Sequence, residues 1–201
     1  MANTQVTTGL KADGNPEGKR LSEFLRDRIQ SSPRNVVAKP RRRLLNEFFS
    51  SMLVLSAEFK FRPVVGSTYY LYCGVEAWSL SLIRPIEWSS EKRRDFVASC
   101  VLQADMTWAI SPSERISENS RVTDEIGEFY DAFAGMLDTD SSLEEILPFY
   151  VGRLPYYQRL YASALSRSLY ASLLLGDQIA ISGRHWCRLA PLAEHRIAQL
   201  R

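Results

Sequence analysis

Four side chains in the first half of the chain have the chemistry of a binding pocket or an acid–base pair. They are Glu87 and Trp88, which form an E-W pair, and Asp105 and Trp108, which form a D-x-x-W motif. Carboxylates accept hydrogen bonds and exchange protons, whereas indole rings supply apolar walls. Convergence of the two motifs on one pocket is one interpretation. The interpretation we favour is that the indoles close the core while the carboxylates cap backbone amides or pair with arginines.

Tyr70 is a further candidate, because it lies in a stretch rich in aromatic and branched residues, YYLY, that is typical of a strand. An aromatic ring exposed on a sheet can stack a nucleobase. The residues around it carry as many acidic as basic side chains, so the cationic surroundings of a nucleic-acid platform are missing from this part of the sequence.

The densest basic run, KPRRR, contributes Lys39, Arg41, Arg42 and Arg43. Such a run can bind RNA phosphates or an acidic protein surface. It can equally pair with acidic residues of the same chain, or simply be solvated at the start of a helix. Because positive charge in a first helical turn opposes the helix dipole, we expect a compensating anion nearby.

Charge is segregated along the sequence although the net charge is only +2. Residues 1–62 carry 12 basic and 6 acidic side chains, residues 104–150 carry 2 and 11, and residues 151–201 carry 7 and 2. Opposite charges on neighbouring elements steer docking, so these blocks are expected to attract one another.

Established catalytic and cofactor motifs do not occur. The sequence has no phosphate-binding glycine loop, no H-E-x-x-H and no G-x-S-x-G, and its three cysteines lack the paired spacing of a zinc site. We predict no catalytic residue, no metal and no cofactor. No apolar run reaches the roughly 18 residues that span a bilayer, which predicts no membrane insertion and a cytoplasmic location.

Spacing of apolar residues predicts a helix over 21–29, a second over 41–59, and a hairpin of strands 69–72 and 78–83 with Gly74 at positive φ in its turn. Residues 89–108 have a helical stripe, and 121–201 are predicted to be helical, with a terminal helix from Pro191. The domain organisation expected is a flexible arm (1–38), a helix–hairpin–helix unit (39–110), a linker (111–120) and a helical C-terminal region (121–201).

The order of motifs in residues 36–110 resembles the family recorded as domain of unknown function 2452. The resemblance rests on the ordered patterns Y-x-L-Y, S-x-I-x-P-x-E-W and L-x-x-D-x-x-W, found here in FRPVVGSTYYLY, WSLSLIRPIEW and FVASCVLQADMTW. Family members usually have a glycine after the E-W pair, where this chain has Ser89. The resemblance implies one unit made of a helix, a hairpin and a following helix, and it implies no catalytic residue.

The sequence thus predicts an α+β protein in which a small antiparallel hairpin or sheet packs against helices and a helical half follows. We expect a non-enzymatic module that binds a protein or a small ligand around Trp88 and Trp108. One alternative is an RNA-associated factor that uses KPRRR and Tyr70. The other is an enzyme of unrecognised type that uses Glu87 and Asp105.

Overall fold

The computed structural model describes residues 21–149 and 152–189. Within these residues the helices are α1 (Leu21–Gln30), α2 (Arg41–Ser56), α3 (Ser90–Arg94), α4 (Ser120–Leu137), α5 (Leu143–Ile146), α6 (Tyr156–Leu175) and α7 (Gly183–Leu189). The strands are β1 (Thr68–Cys73), β2 (Trp78–Ser81), β3 (Phe96–Leu102) and β4 (Trp108–Pro112). The protein is therefore α+β with a helical C-terminal half, as the sequence predicts.

All four strands pair antiparallel in one sheet, in the order β2-β1-β3-β4. Tyr70 lies opposite Ser81 on one side and Ser99 on the other, which fixes the register of the two central strands. The pairing of β1 with β3 shifts between Leu71 and Tyr72. The predicted hairpin 69–83 is confirmed, and it forms half of this larger sheet.

The helix predicted over 89–108 is wrong. Only the five residues of α3 are helical, and β3 and β4 follow as a second hairpin. Apolar residues at 96, 97, 100 and 101 fit a helical stripe, but short apolar runs also fit a strand that is buried on one face. Pairing with β1 settles the ambiguity, since β3 lies between β1 and β4 in the sheet.

The turn of the first hairpin uses Gly74 differently from the prediction. Gly66, not Gly74, is the described glycine with positive φ. A Cβ atom at Gly74 would lie 2.7 Å from the carbonyl oxygen of Ala77, which is also the acceptor of the Gly74 amide. Glycine is needed there because two backbone segments approach closely.

Helix α2 lies at the centre of the molecule and contacts β4, α4, α6 and α7. Nine of its 16 residues are buried, so it is apolar around most of its circumference. Phe49 packs edge-to-face on Phe129, Tyr130 and Phe133 of α4. The hydrophobic core includes buried residues from Leu44 to Trp186.

The C-terminal helices agree with their sequence signals. Asn119 caps α4, and Ser142 and Glu145 form the capping box of α5. The predicted linker region 111–120 contains the end of β4 and a short 3-10 turn, Ile116–Glu118, whose Ile116 is buried. The helix expected from Pro191 lies outside the described residues.

The predicted arm is described only from residue 21 onward, where helix α1 occurs as expected. Beyond α1 the chain is hydrogen-bonded to the body of the protein. The Arg34 amide donates to the Ala104 carbonyl at 2.8 Å, and the Ser172 hydroxyl donates to the Val37 carbonyl at 2.7 Å. These contacts place residues 34–39 beside the sheet and α6.

Candidate functional site

Trp88 and Trp108 pack on opposite faces of the sheet. Trp108 is 1% exposed and meets Tyr69 edge-on, with ring centroids 5.7 Å apart, on the face that α2 covers. Trp88 meets Tyr72 edge-on at 6.3 Å. Tyr69 and Tyr72 are three positions apart on β1, so they point to opposite faces. The two indoles do not converge on one pocket. Trp108 closes the core, as the favoured interpretation predicts, whereas Trp88 is only partly buried on the other face.

Asp105 belongs to a buried ion cluster instead of a pocket. It lies in the β3–β4 turn, where its Oδ2 atom is 2.5 Å from the Lys39 ammonium. The same ammonium donates to Glu47 of α2, and Lys39 is only 3% exposed. One cation thereby joins the start of α2 to the turn of the second hairpin. We call Lys39, Glu47 and Asp105 the buried ion cluster.

The Asp105 carboxylate is held in its charged form. Burial by itself raises the pKa of this carboxyl, but hydrogen bonds from Lys39 and from the Thr107 hydroxyl and amide outweigh that effect and lower the pKa below its usual value. With these partners the carboxylate is fully engaged within the protein. Its role in the structure is to stabilise the fold.

Glu87 is exposed and far from Asp105. Its Oε2 atom accepts a hydrogen bond from the Arg84 amide at 2.8 Å, closing the 3-10 turn Pro85–Glu87. The adjacent Trp88 lies by Tyr72 at the end of β1, whereas the Asp105 turn lies beside its first residue, Thr68. The two carboxylates are therefore separated by roughly 13 Å of strand, and the structure does not bring them together.

The KPRRR run is divided among several partners. Besides the buried Lys39, Arg43 pairs with Glu47 at 2.8 Å and Arg41 lies 3.3 Å from the His185 ring. Arg42 is exposed. The compensating anions expected for this helix start are thus Glu47 and Asp105.

Among the described residues, the face of the sheet that points away from α2 is partly accessible along most of its length. We call it the outer face; it consists of Thr68, Tyr70, Tyr72, Ser79, Ser81, Phe96, Ser99, Val101, Ala109 and Ser111, which share a side by register. All except Tyr72 are intermediate or exposed. Tyr70 and Phe96 lie beside each other at its centre, with centroids 6.3 Å apart. Tyr70 is a candidate that the structure places on an accessible surface.

A cavity of about 760 Å³ opens beside Phe96, between α3 and the start of α4. Three arginines line it. Arg93 is engaged, because it donates to the carbonyls of Pro85, Ile86 and Trp88, and Arg115 pairs with Glu118. The guanidinium of Arg94 has no ion pair among the described residues. The rim of the outer face is therefore cationic.

Sequence reasoning missed Phe96 and Arg94 as surface residues. In the predicted helix, Phe96 belongs to the apolar stripe. It lies next to Tyr70 because this segment is a strand that pairs with β1. The signal that favours a strand is the cluster of branched and aromatic residues in FVASCVL.

Within residues 21–149 and 152–189, no group of three or more histidine, cysteine or acidic side chains is arranged to hold a metal ion. No helix in these ranges has the length and hydropathy needed to cross a bilayer. Cys73 and Cys100 are buried and Cys187 is partly buried, all three as free thiols. Burial raises the pKa of the Cys100 thiol, which makes it a poor nucleophile.

The fold and its open sheet face define an α+β protein with a one-sided antiparallel sheet. Residues 34–131 match the model of the family described as protein of unknown function (DUF2452). The match agrees with the family motifs found in the sequence, and it extends past residue 110 into α4. No curated protein and no solved structure matches the chain.

Proposed function

We propose that the protein is a non-enzymatic binding module whose binding surface is the outer face of the sheet. The observation that carries the proposal is the partly exposed pair of Tyr70 and Phe96 on the two central strands. Antiparallel sheets commonly have one polar, solvated face, but here aromatic rings occupy its middle. Tyrosine and phenylalanine are enriched where proteins meet partners.

The partner that fits best is a protein segment carrying carboxylates. The outer face supplies hydroxyl groups from Ser81, Ser99 and Ser111 around the rings, and Arg94 stands at the rim beside Phe96. Aromatic anchors at the centre with polar groups around them are the usual anatomy of a protein interface. A cationic rim adds attraction for an acidic partner and raises the association rate.

Single-stranded RNA is the second candidate. Two aromatic side chains on the adjacent central strands of a four-stranded sheet resemble the arrangement on which RNA-binding sheets stack bases. This candidate no longer includes Lys39, because that ammonium is buried in the ion cluster. An enzyme based on Glu87 and Asp105 has no support, since the two carboxylates are engaged at opposite ends of β1.

The proposal is tested by co-purification from the native cells, with quantification of bound protein and bound RNA. Tyr70→Ser is compared with Tyr170→Ser, because Tyr170 is an exposed tyrosine of α6 outside the outer face. We expect a cellular protein to co-purify with wild type and with Tyr170→Ser. The amount that co-purifies with Tyr70→Ser should be at least tenfold lower. RNA lost in the same pattern favours the second candidate, and equal retention by both variants contradicts the proposal.

The cytoplasmic location remains part of this proposal, and free thiols are compatible with it.

A further inference from the structure

A second cavity, of about 430 Å³, lies between α1 and the first half of α6. Its lining comes from Phe24, Arg28, Phe149, Tyr156, Arg159, Leu160, Ser163 and Arg167. The volume is within the range of pockets that hold small molecules. None of these residues belongs to the outer face, so the cavity is independent of the function proposed above.

Three guanidinium groups converge on this cavity. Arg159 and Arg167 are eight positions apart on α6 and therefore lie on the same side of the helix, and Arg28 reaches in from α1. Among the described residues no carboxylate pairs with any of the three. The nearest acidic residue on α1, Asp27, is engaged by Arg62 at 3.2 Å and by the Tyr156 hydroxyl at 2.9 Å.

Arg167 is the most unusual of the three. Its Nε atom is buried and has no hydrogen-bond acceptor among the described residues. Leaving a buried donor of a charged group unsatisfied costs free energy. Burial lowers the pKa of this guanidinium, and the charge of Arg28 lowers it further, so the surroundings favour an added negative charge. An anion placed in the cavity against the Arg167 guanidinium would offset the charge of Arg28.

The remaining walls are apolar. Phe24 and Phe149 are 36% and 42% exposed, and Leu160 lies deeper at 9%. The Ser163 hydroxyl is already used, since it donates to the Phe149 and Arg159 carbonyls. The cavity thus offers strong donors for one charged group and aromatic walls for the rest of a molecule.

We infer that this cavity binds a small amphiphile in which one anionic head group, a carboxylate or a phosphate, is attached to an aromatic or short alkyl body. The guanidinium of Arg167 contacts the head group, with Arg159 and Arg28 beside it. Arginine favours such head groups because its planar fork gives two parallel charge-assisted hydrogen bonds. Phe24 and Phe149 cover the body.

Isothermal titration calorimetry of the full chain with three probes of the same shape tests this inference. They are 4-phenylbutyrate, 4-phenyl-1-butanol and 4-phenylbutylamine, and 4-phenylbutyl phosphate is added to separate the two head groups. We expect an anionic probe to bind at least tenfold more tightly than the alcohol, and the amine to show no binding. A preference between 4-phenylbutyrate and 4-phenylbutyl phosphate identifies the head group as carboxylate or phosphate.

Arg167→Met is expected to lower the affinity for the anionic probe by at least tenfold. Arg159→Met is expected to lower it by a smaller factor. Arg26→Met is the matched control, because it removes one positive charge from exposed α1 surface outside the cavity. It should leave the affinity within twofold. If Arg167→Met does not fold, Arg159→Met provides the comparison. Equal binding of all three phenylbutyl probes, no binding of either anion at millimolar concentration, or an equal loss in Arg26→Met would overturn the inference.

Discussion

Lys39 and Asp105, 66 positions apart in the sequence, form a buried ion pair with 2.5 Å between Nζ and Oδ2. The pair connects the basic run before α2 to the turn between β3 and β4. It is an attraction of the kind expected between the basic block 1–62 and the acidic block 104–150. A second such contact joins the blocks 151–201 and 104–150, where Arg184 pairs with Asp138 and Asp140 at 2.9 and 2.6 Å. The densest basic run in the sequence therefore includes a structural cation that holds the sheet against the central helix.

Lys39→Met should destabilise the protein by about 3–5 kcal/mol, because it leaves Asp105 and Glu47 without their shared buried cation. Urea denaturation followed by circular dichroism at neutral pH measures this loss. Arg42→Met is the control from the same basic run; its side chain is exposed, so the expected change is within about 0.5 kcal/mol. Equal losses in the two variants would mean that the ion pair does not stabilise the fold.

The contribution of Asp105 should depend on pH in a defined direction. Its pKa is lowered in the folded state, so its stabilisation is present above the unfolded pKa of about 3.9 and is lost as pH falls through the folded value. We expect Asp105→Asn to be less stable than wild type by about 3 kcal/mol at pH 7. The difference should shrink below about pH 4.

Urea titrations of both proteins between pH 3 and pH 7 provide this measurement. Asp124→Asn serves as the control, since Asp124 is exposed on α4 and its replacement should change the stability by no more than about 0.5 kcal/mol. If the free energies of unfolding of wild type and Asp105→Asn differed by the same amount over the whole pH range, the lowered pKa of Asp105 in the folded state would be refuted.

The two tryptophans should respond unequally to truncation. Trp108 is 1% exposed and its ring packs against Tyr69, so Trp108→Ala should cost about 3–5 kcal/mol. Trp88 is only partly buried and lies on the other face, so Trp88→Ala should cost less than about 2 kcal/mol. Thermal and urea unfolding of both variants distinguish these values. Similar losses would indicate that Trp88 is also a core residue.

Two glycine-to-alanine substitutions form a matched pair with opposite expected signs. Gly74→Ala places a Cβ atom 2.7 Å from the Ala77 carbonyl oxygen, so the hairpin turn must shift, at a cost of about 1–3 kcal/mol. Gly135→Ala meets nothing within 4 Å on helix α4 and should stabilise by about 0.5–1 kcal/mol. Melting temperatures that move in the same direction would contradict the geometry of the turn.

Much of the fold could be predicted from local signals. Helices α2, α4 and α6 follow the three- and four-residue spacing of their apolar residues, and the first hairpin follows the change of period after Pro63. These signals are reliable because each of the longer elements buries a broad apolar surface of its own. The motifs of the family were likewise visible in the sequence, and the match to residues 34–131 confirms them.

The second hairpin and the site could not be predicted in the same way. The apolar pattern of β3 fits two periods, and only its pairing with β1 makes it a strand. The wrong prediction of a helix over 89–108 put Phe96 on a helix and brought Asp105 close to Glu87. With that helix, neither the outer face nor the buried ion cluster could be predicted. Lys39 looked like a surface cation because sequence spacing does not reveal a partner 66 positions away.

Photo-crosslinking tests the claim that the outer face of the sheet is a binding surface. A p-benzoylphenylalanine replaces Ser111, which is exposed on the outer face, or Ala132, which is exposed on α4 as a control. After irradiation of the native cells we expect a discrete adduct from position 111 that survives ribonuclease, is absent from position 132 and disappears with Tyr70→Ser. No adduct at position 111, or equal adducts at both positions, would contradict the claim.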